Sequence, residues 1–145
     1  MRKFLLPFAG LALLVSANGA FAASANSSFN VKVQVNPACT VSATDIDFGT
    51  FTGNITASTT TSSATVKCNK NTSYALSLAA TSTASVTANM ANGANPTIPA
   101  TVSLSVASQT ATGGNDLTTI NGSIAAVTAP APGAYTVSQA IYVLY

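Results

Sequence analysis

Few residues in this chain are equipped for chemistry. There is no His and no Glu, and the only acids are Asp45, Asp47 and Asp116. The common acid–base pairs and nucleophilic triads therefore have no members. Asp45 and Asp47 stand two apart and share one face if their segment is a strand, and paired carboxylates are the machinery of glycoside hydrolysis. Beside Gly49 they read instead as solvated loop or strand-end acids. Gly113-Gly114-Asn115-Asp116 lacks the spacing of a phosphate loop and reads as a turn. Cys39 and Cys68 would need further ligands to hold a metal, and the aspartates do not cluster with them. The residues describe a protein that is not an enzyme and carries no cofactor or metal.

The remaining chemistry of the cysteines depends on where the chain goes. Arg2 and Lys3 precede an apolar stretch over residues 4–15, and Ala20-Phe21-Ala22 has the small-x-small pattern of a signal-peptidase site. Cleavage between Ala22 and Ala23 is expected. The apolar stretch is too short to span a bilayer comfortably and no later stretch is longer, so direct membrane insertion is not expected. In an exported domain two cysteines most simply form one disulfide, Cys39 to Cys68. Closing a loop of that length stabilises a fold by about 3–4 kcal/mol in the chain-entropy model.

Beyond residue 22 the cations are Lys32, Lys67 and Lys70, and they balance the three aspartates. A neutral, charge-poor surface argues against nucleic acid and anionic membranes, both of which call for basic clusters. It also lacks the self-repulsion that keeps copies of a chain apart.

The elements that would carry these residues are strands. Thr and Val favour strands and Asn, Gly and Ser punctuate turns, while no 3.6-residue stripe supports a helix. Candidate strands cover residues 29–36, 39–43, 45–51, 62–68, 74–78 and 101–107. Residues 117–120 and 123–127 flank Asn121-Gly122, a two-residue hairpin signal. Residues 133–145 form a last strand, and the stretches 53–63 and 81–99 read as loops or weak edge strands. Short strands at this spacing predict one antiparallel sandwich or barrel.

Two of these strands are unusual. Residues 29–36 alternate strictly, with Phe29, Val31, Val33 and Val35 on one face. The last strand places Tyr135, Val137, Ile141, Val143 and Tyr145 on one face, interrupted only by Gln139. The sequence stops inside that strand, with nothing after it to supply a neighbour. A long apolar strand with an open neighbour position calls for another chain to cover it.

The order of these features resembles a known family. An alternating N-terminal strand leads to Cys39-Thr40-Val41, Asp47-Phe48-Gly49, Val66-Lys67-Cys68 and Tyr74-Ala75-Leu76-Ser77-Leu78, and the chain ends with Gly133-Ala134-Tyr135 through Tyr145. The pattern is similar to pilin subunits of the chaperone–usher type, above all the archaic branch with spore coat protein U domains. The resemblance implies an all-β fold: an incomplete immunoglobulin-like antiparallel β-sandwich that lacks its last strand and carries an N-terminal donor strand. Residues 1–22 would be the signal peptide, 23–36 the donor extension and 37–145 the pilin domain. Phe29, Val31, Val33 and Val35 would be donor knobs, and Val41, Ile141 and Val143 would line the acceptor groove. Cys39 and Cys68 match the family's disulfide pair. Val137 stands where the family often has Asp, and Gln139 occupies an inward-facing position.

The function so implied is that of a structural subunit of an adhesive surface pilus, polymerising by donor-strand complementation and serving attachment and biofilm formation. Its partners would be identical or related pilin subunits, a periplasmic chaperone and an outer-membrane usher, with export through the periplasm to the cell surface. A minor or tip subunit, or a self-contained exported β-sandwich binding module, is the alternative.

Overall fold

A computed structural model of the chain describes residues 24–145; the signal segment and the junction between Ala22 and Ala23 lie outside the described residues. The chain divides between Gln34 and Val35 into an N-terminal unit and a compact unit, Val35–Tyr145. Residues 24–38 belong to no strand. Phe29 and Val31 are each 85% exposed and Val33 is 90% exposed, while Val35, opening the compact unit, is 71% exposed. Alternation alone does not make a strand. A strand is completed by the ladder hydrogen bonds of a partner, and residues 29–36 make no ladder.

The compact unit is all-β. Its strands are β1 (Cys39–Ala43), β2 (Ser58–Cys68), β3 (Ser73–Ser77), β4 (Ser85–Met90), β5 (Ile98–Leu104), β6 (Ser108–Thr110), β7 (Asp116–Ile124) and β8 (Tyr142–Leu144). They form a five-stranded sheet in the order β1-β2-β7-β5-β4 and a three-stranded sheet in the order β6-β3-β8. Every pairing is antiparallel, and the arrangement is that of an immunoglobulin-like β-sandwich.

Period-2 patterning explains the two layers. In β2, Ala64, Val66 and Cys68 are buried while Thr59, Thr61 and Lys67 face out; in β5, Ile98, Ala100, Val102 and Leu104 are buried. Tyr74 and Leu76 from β3, with Leu78 just after it, meet Ala64, Val66, Cys68, Val102 and Leu104 from the other sheet in a cluster that also holds Ala88 and Ile120. A second cluster gathers Ile55, Ile98, Ala100 and Ile124, with Phe48, Phe51, Met90 and Tyr135 against it. Cys39 and Cys68 stand directly opposite each other in the β1–β2 register and form a disulfide. The short edge strand β1 is thereby tied to the sheet.

Three local expectations are corrected. Asn121-Gly122 makes no hairpin: β7 runs straight through it, with Gly122 opposite Thr60 on one side and Val102 on the other. The missing Cβ serves close packing instead. A Cβ at Gly122 would lie 2.8 Å from Ile46 Cγ2 and 3.0 Å from Phe48 Cζ, the close approach that a glycine inside a strand often marks. A turn with a left-handed glycine does connect β4 and β5, at Gly93 (φ 58°).

Residues 45–51 are not a strand. Asp47 Oδ1 accepts a hydrogen bond from the Gly49 amide at 2.7 Å, and Gly49 takes a φ of 78°. This local side-chain bond competes with a ladder, so the segment turns and lays Ile46 and Phe48 over Gly122. The last strand is also shorter than its apolar pattern suggests. Only Tyr142–Leu144 is laddered, and Thr136 makes an isolated bridge with Ala91.

Candidate functional site

The edges of the two sheets define the site. β1 pairs only with β2, and β8 pairs only with β3, and these two edge strands approach each other across the sandwich. Where they stop, the sandwich gapes. A cleft of about 570 Å³ lies between residues 43–48, at and just after the end of β1, and residues 135–141, which lead into β8. Its floor is the inward face of the large sheet, through Ala88 and Met90 of β4, Ala100 and Val102 of β5 and Ile120 of β7, with Leu78 opposite. These residues come from both core clusters, so the cleft is a gap in the core.

The walls differ from the floor in their main chain. Residues 45–48 and 137–141 make no backbone–backbone hydrogen bond to another described residue. Apart from the Ala140 carbonyl, which accepts from the Gln139 side chain, these segments offer N–H and C=O groups unpaired among the described residues on either side of an apolar trough. That combination is a template for an added strand: ladder hydrogen bonds from the walls and pockets for alternate side chains below. The rim is polar, with Thr44, Asp45, Asp47, Thr136 and Gln139. Gln139 is exposed, and its Nε2 donates to the Leu78 carbonyl at 2.7 Å and to the Ala140 carbonyl at 3.1 Å.

The residues singled out in the sequence fall as follows. Ile141 lines the cleft. Val41 of β1 and Val143 of β8 are half-buried against the adjoining core cluster. Phe29, Val31, Val33 and Val35 are exposed. Val137, the position at which Asp is frequent in the resembled family, lines the cleft and is 45% exposed. Sequence reasoning passed over the floor residues Ala88, Ala100 and Ile120 and the wall residues Ile46 and Phe48. The inward phase of β5 held the signal for Ala100, whereas nothing in the local pattern of residues 45–48 pointed to a wall.

The structure gives the acids a structural setting. Asp45 and Asp47 are exposed on the cleft rim, the latter engaged by Gly49. Asp116 is buried at the start of β7 and accepts from the Thr112 hydroxyl at 2.7 Å and the Thr112 amide at 3.2 Å. Tyr74 is buried nearby, and its hydroxyl has no hydrogen-bond partner. Burial, and secondarily the Asp116 carboxylate, pushes the Tyr74 phenol above its ordinary value. Among the described residues no three His, Cys, Asp or Glu side chains are grouped to hold a metal ion. No helix among them is long and apolar enough to cross a membrane.

Comparison with known proteins adds one finding. The family model described as Spore Coat Protein U domain matches residues 25–138, most of the chain. No curated protein and no solved structure matches it.

Proposed function

Because the chain belongs to the Spore Coat Protein U domain family, the family of archaic chaperone–usher pilins, we propose that it is a structural subunit of an adhesive surface pilus. Residues 29–36 of one copy enter the cleft of the next, with Phe29, Val31, Val33 and Val35 as knobs. Val41, Ile141 and Val143 belong to the edges that receive them. The chain is exported through the periplasm after cleavage between Ala22 and Ala23, guided by a periplasmic chaperone and an outer-membrane usher, and the fibre serves attachment and biofilm formation.

One observation supports this reading above the others: an apolar cleft whose two walls carry main chain largely unpaired among the described residues. An incoming strand satisfies both needs at once. Its backbone completes two ladders and its alternate side chains fill the trough. Burying one Phe and three Val knobs contributes on the order of 6–10 kcal/mol before ordering costs. A contact between the extension of one copy and the cleft of the next is heterologous, so it propagates into a filament.

The test compares the chain beginning at Ala23 with one beginning at Pro37. The longer chain is expected to form multimers that survive SDS, and the shorter chain to remain monomeric. A longer chain that stays a stable monomer, with the alternating segment paired inside its own sheet, would favour a self-contained sandwich instead.

A further inference from the structure

The segment that enters the cleft carries a single charged side chain. From Ala23 to Asn36 that side chain is Lys32, and it is exposed. It stands at the centre of the alternating stretch, with Phe29 and Val31 before it and Val33 and Val35 after it. Successive side chains of a strand point to opposite faces. When the four apolar knobs point down into the cleft, Lys32 therefore points away from it, onto the outer face.

The cleft carries the opposite charge at the matching place. Residues 45–48 alternate in the same sense: Ile46 and Phe48 are half-buried and close on Gly122, whereas Asp45 and Asp47 are exposed. Both aspartates stand on the rim. Asp116 is buried and held by Thr112, so these two are the exposed acidic side chains among the described residues. The Gly49 amide occupies Asp47 Oδ1 and leaves Oδ2 for another donor. The other lysines lie toward the far end of β1. Lys67 stands opposite Thr40, roughly 16 Å along the chain from Asp45 at the rise of a strand, and Lys70 follows it in the turn before β3.

Lys32 is the midpoint of residues 29–35, and Asp45 and Asp47 flank the middle of the wall at residues 43–48. A strand seated with its knobs centred in the cleft brings Lys32 beside these acids whichever way it runs. Side chains opposite each other on neighbouring strands have Cβ atoms about 4.5–5.5 Å apart, within reach of a lysine stem. The three valine knobs alone leave the register open. A slip of one residue would turn the apolar face outward, but a slip of two keeps it inward and moves Lys32 about 7 Å along the wall.

We propose that Lys32 of one copy pairs with Asp45 and Asp47 of the next, and that this outer pair selects the register of the incoming strand and speeds its capture. The partner is a second copy of this chain, and the proposal rests on the docking reading above. An exposed ion pair adds little to final affinity. Its effect falls on encounter and alignment, and salt weakens it.

The experiment uses the chain beginning at Ala23. Isotopically light and heavy chains are multimerised together and treated with a carbodiimide, which joins an amine to a carboxylate without a spacer. Peptide mass spectrometry is expected to find Lys32 joined to Asp45 or Asp47 in light–heavy pairs, the mark of a bond between copies. Lys32 joined between copies mainly to other carboxylates, or to Asp45 and Asp47 only within one copy, overturns the proposal. Multimerisation is then timed at low salt. Lys32→Glu is expected to be about tenfold slower than wild type, and Lys32→Glu combined with Asp45→Lys to regain most of the rate. Asp45→Asn combined with Asp47→Asn, which keeps an acceptor for the Gly49 amide, is expected to be about three- to fivefold slower. These differences should shrink to less than about twofold at about 0.5 M salt. Equal rates for wild type and Lys32→Glu at low salt, or a loss that the charge swap does not restore, overturn the pair and leave the docking reading standing. A wild type that never multimerises sinks the docking reading and the pair with it.

Discussion

Replacing Val33 with Asp separates a residue that serves another subunit from one that serves its own fold. Val33 is 90% exposed, so almost its whole side chain is available for burial by a neighbour. Losing that burial costs about 1.5–3 kcal/mol. Placing a carboxylate in an apolar trough without a partner adds roughly another 1–3 kcal/mol or more. A combined loss of about 4 kcal/mol weakens subunit association by about a thousandfold. The single chain should not notice, since substitutions at exposed positions stay within about 0.5 kcal/mol. Sedimentation velocity across a concentration series, together with SDS-resistant ladders, measures the association, and thermal melting of the monomer measures the fold. Capture by the chaperone should survive, because that contact is expected at the cleft. Val33→Asp that multimerises like wild type would remove Val33 from the interface. A monomer whose Tm drops by several degrees would instead place Val33 in the domain's own core.

Two further substitutions test the domain itself. Gly122→Ala drives a methyl group to within 2.8 Å of Ile46 Cγ2 and should destabilise the monomer by about 1–3 kcal/mol through overpacking, read by urea melts; an unchanged midpoint would mean that residues 45–48 move aside freely. Tyr74→Phe removes a buried hydroxyl that has no partner and should leave stability at neutral pH equal or higher, by up to about 1 kcal/mol. The folded-state value of Tyr74 is raised, so the folded chain holds the phenolic proton more tightly than the unfolded chain. The stability linked to that proton is complete below about pH 10 and is lost as pH rises through the folded-state value. Melts above pH 10 should therefore fall less steeply for Tyr74→Phe than for wild type.

The strands with strong contrast were legible from the residues. Cys39-Thr40-Val41-Ser42-Ala43 alternates cleanly and is β1 with the same bounds, and the inward phases of Ala64, Val66 and Cys68 and of Tyr74 and Leu76 are those of the core. β4 was not singled out as a strand of its own because Ser85, Thr87 and Asn89 alternate only with Val86, Ala88 and Met90, a weak hydropathy contrast in a stretch rich in turn formers. Asn121-Gly122 misled because local turn preference gave way to tertiary packing: the glycine was needed under Ile46 and Phe48. At the cleft, Ile141, which lines it, was singled out through the family resemblance. Ala88 was not, because a small residue carries little hydrophobic signal, and Ala100 was marked only by its phase with Val102 and Leu104. The loop wound around Ser77, and the Gln139 tie across 61 residues of sequence, are products of the folded geometry and leave no local pattern.

The central claim is that each copy offers one strand and one cleft, and a mixing measurement tests it most directly. A tagged chain beginning at Pro37 keeps the cleft and lacks the strand. Added to chains beginning at Ala23, it should be taken up once per fibre, at one end only, and should shorten the fibres in proportion to its share while staying monomeric alone. A truncated chain that multimerises by itself, is built in along the fibre, or is never taken up would contradict the account.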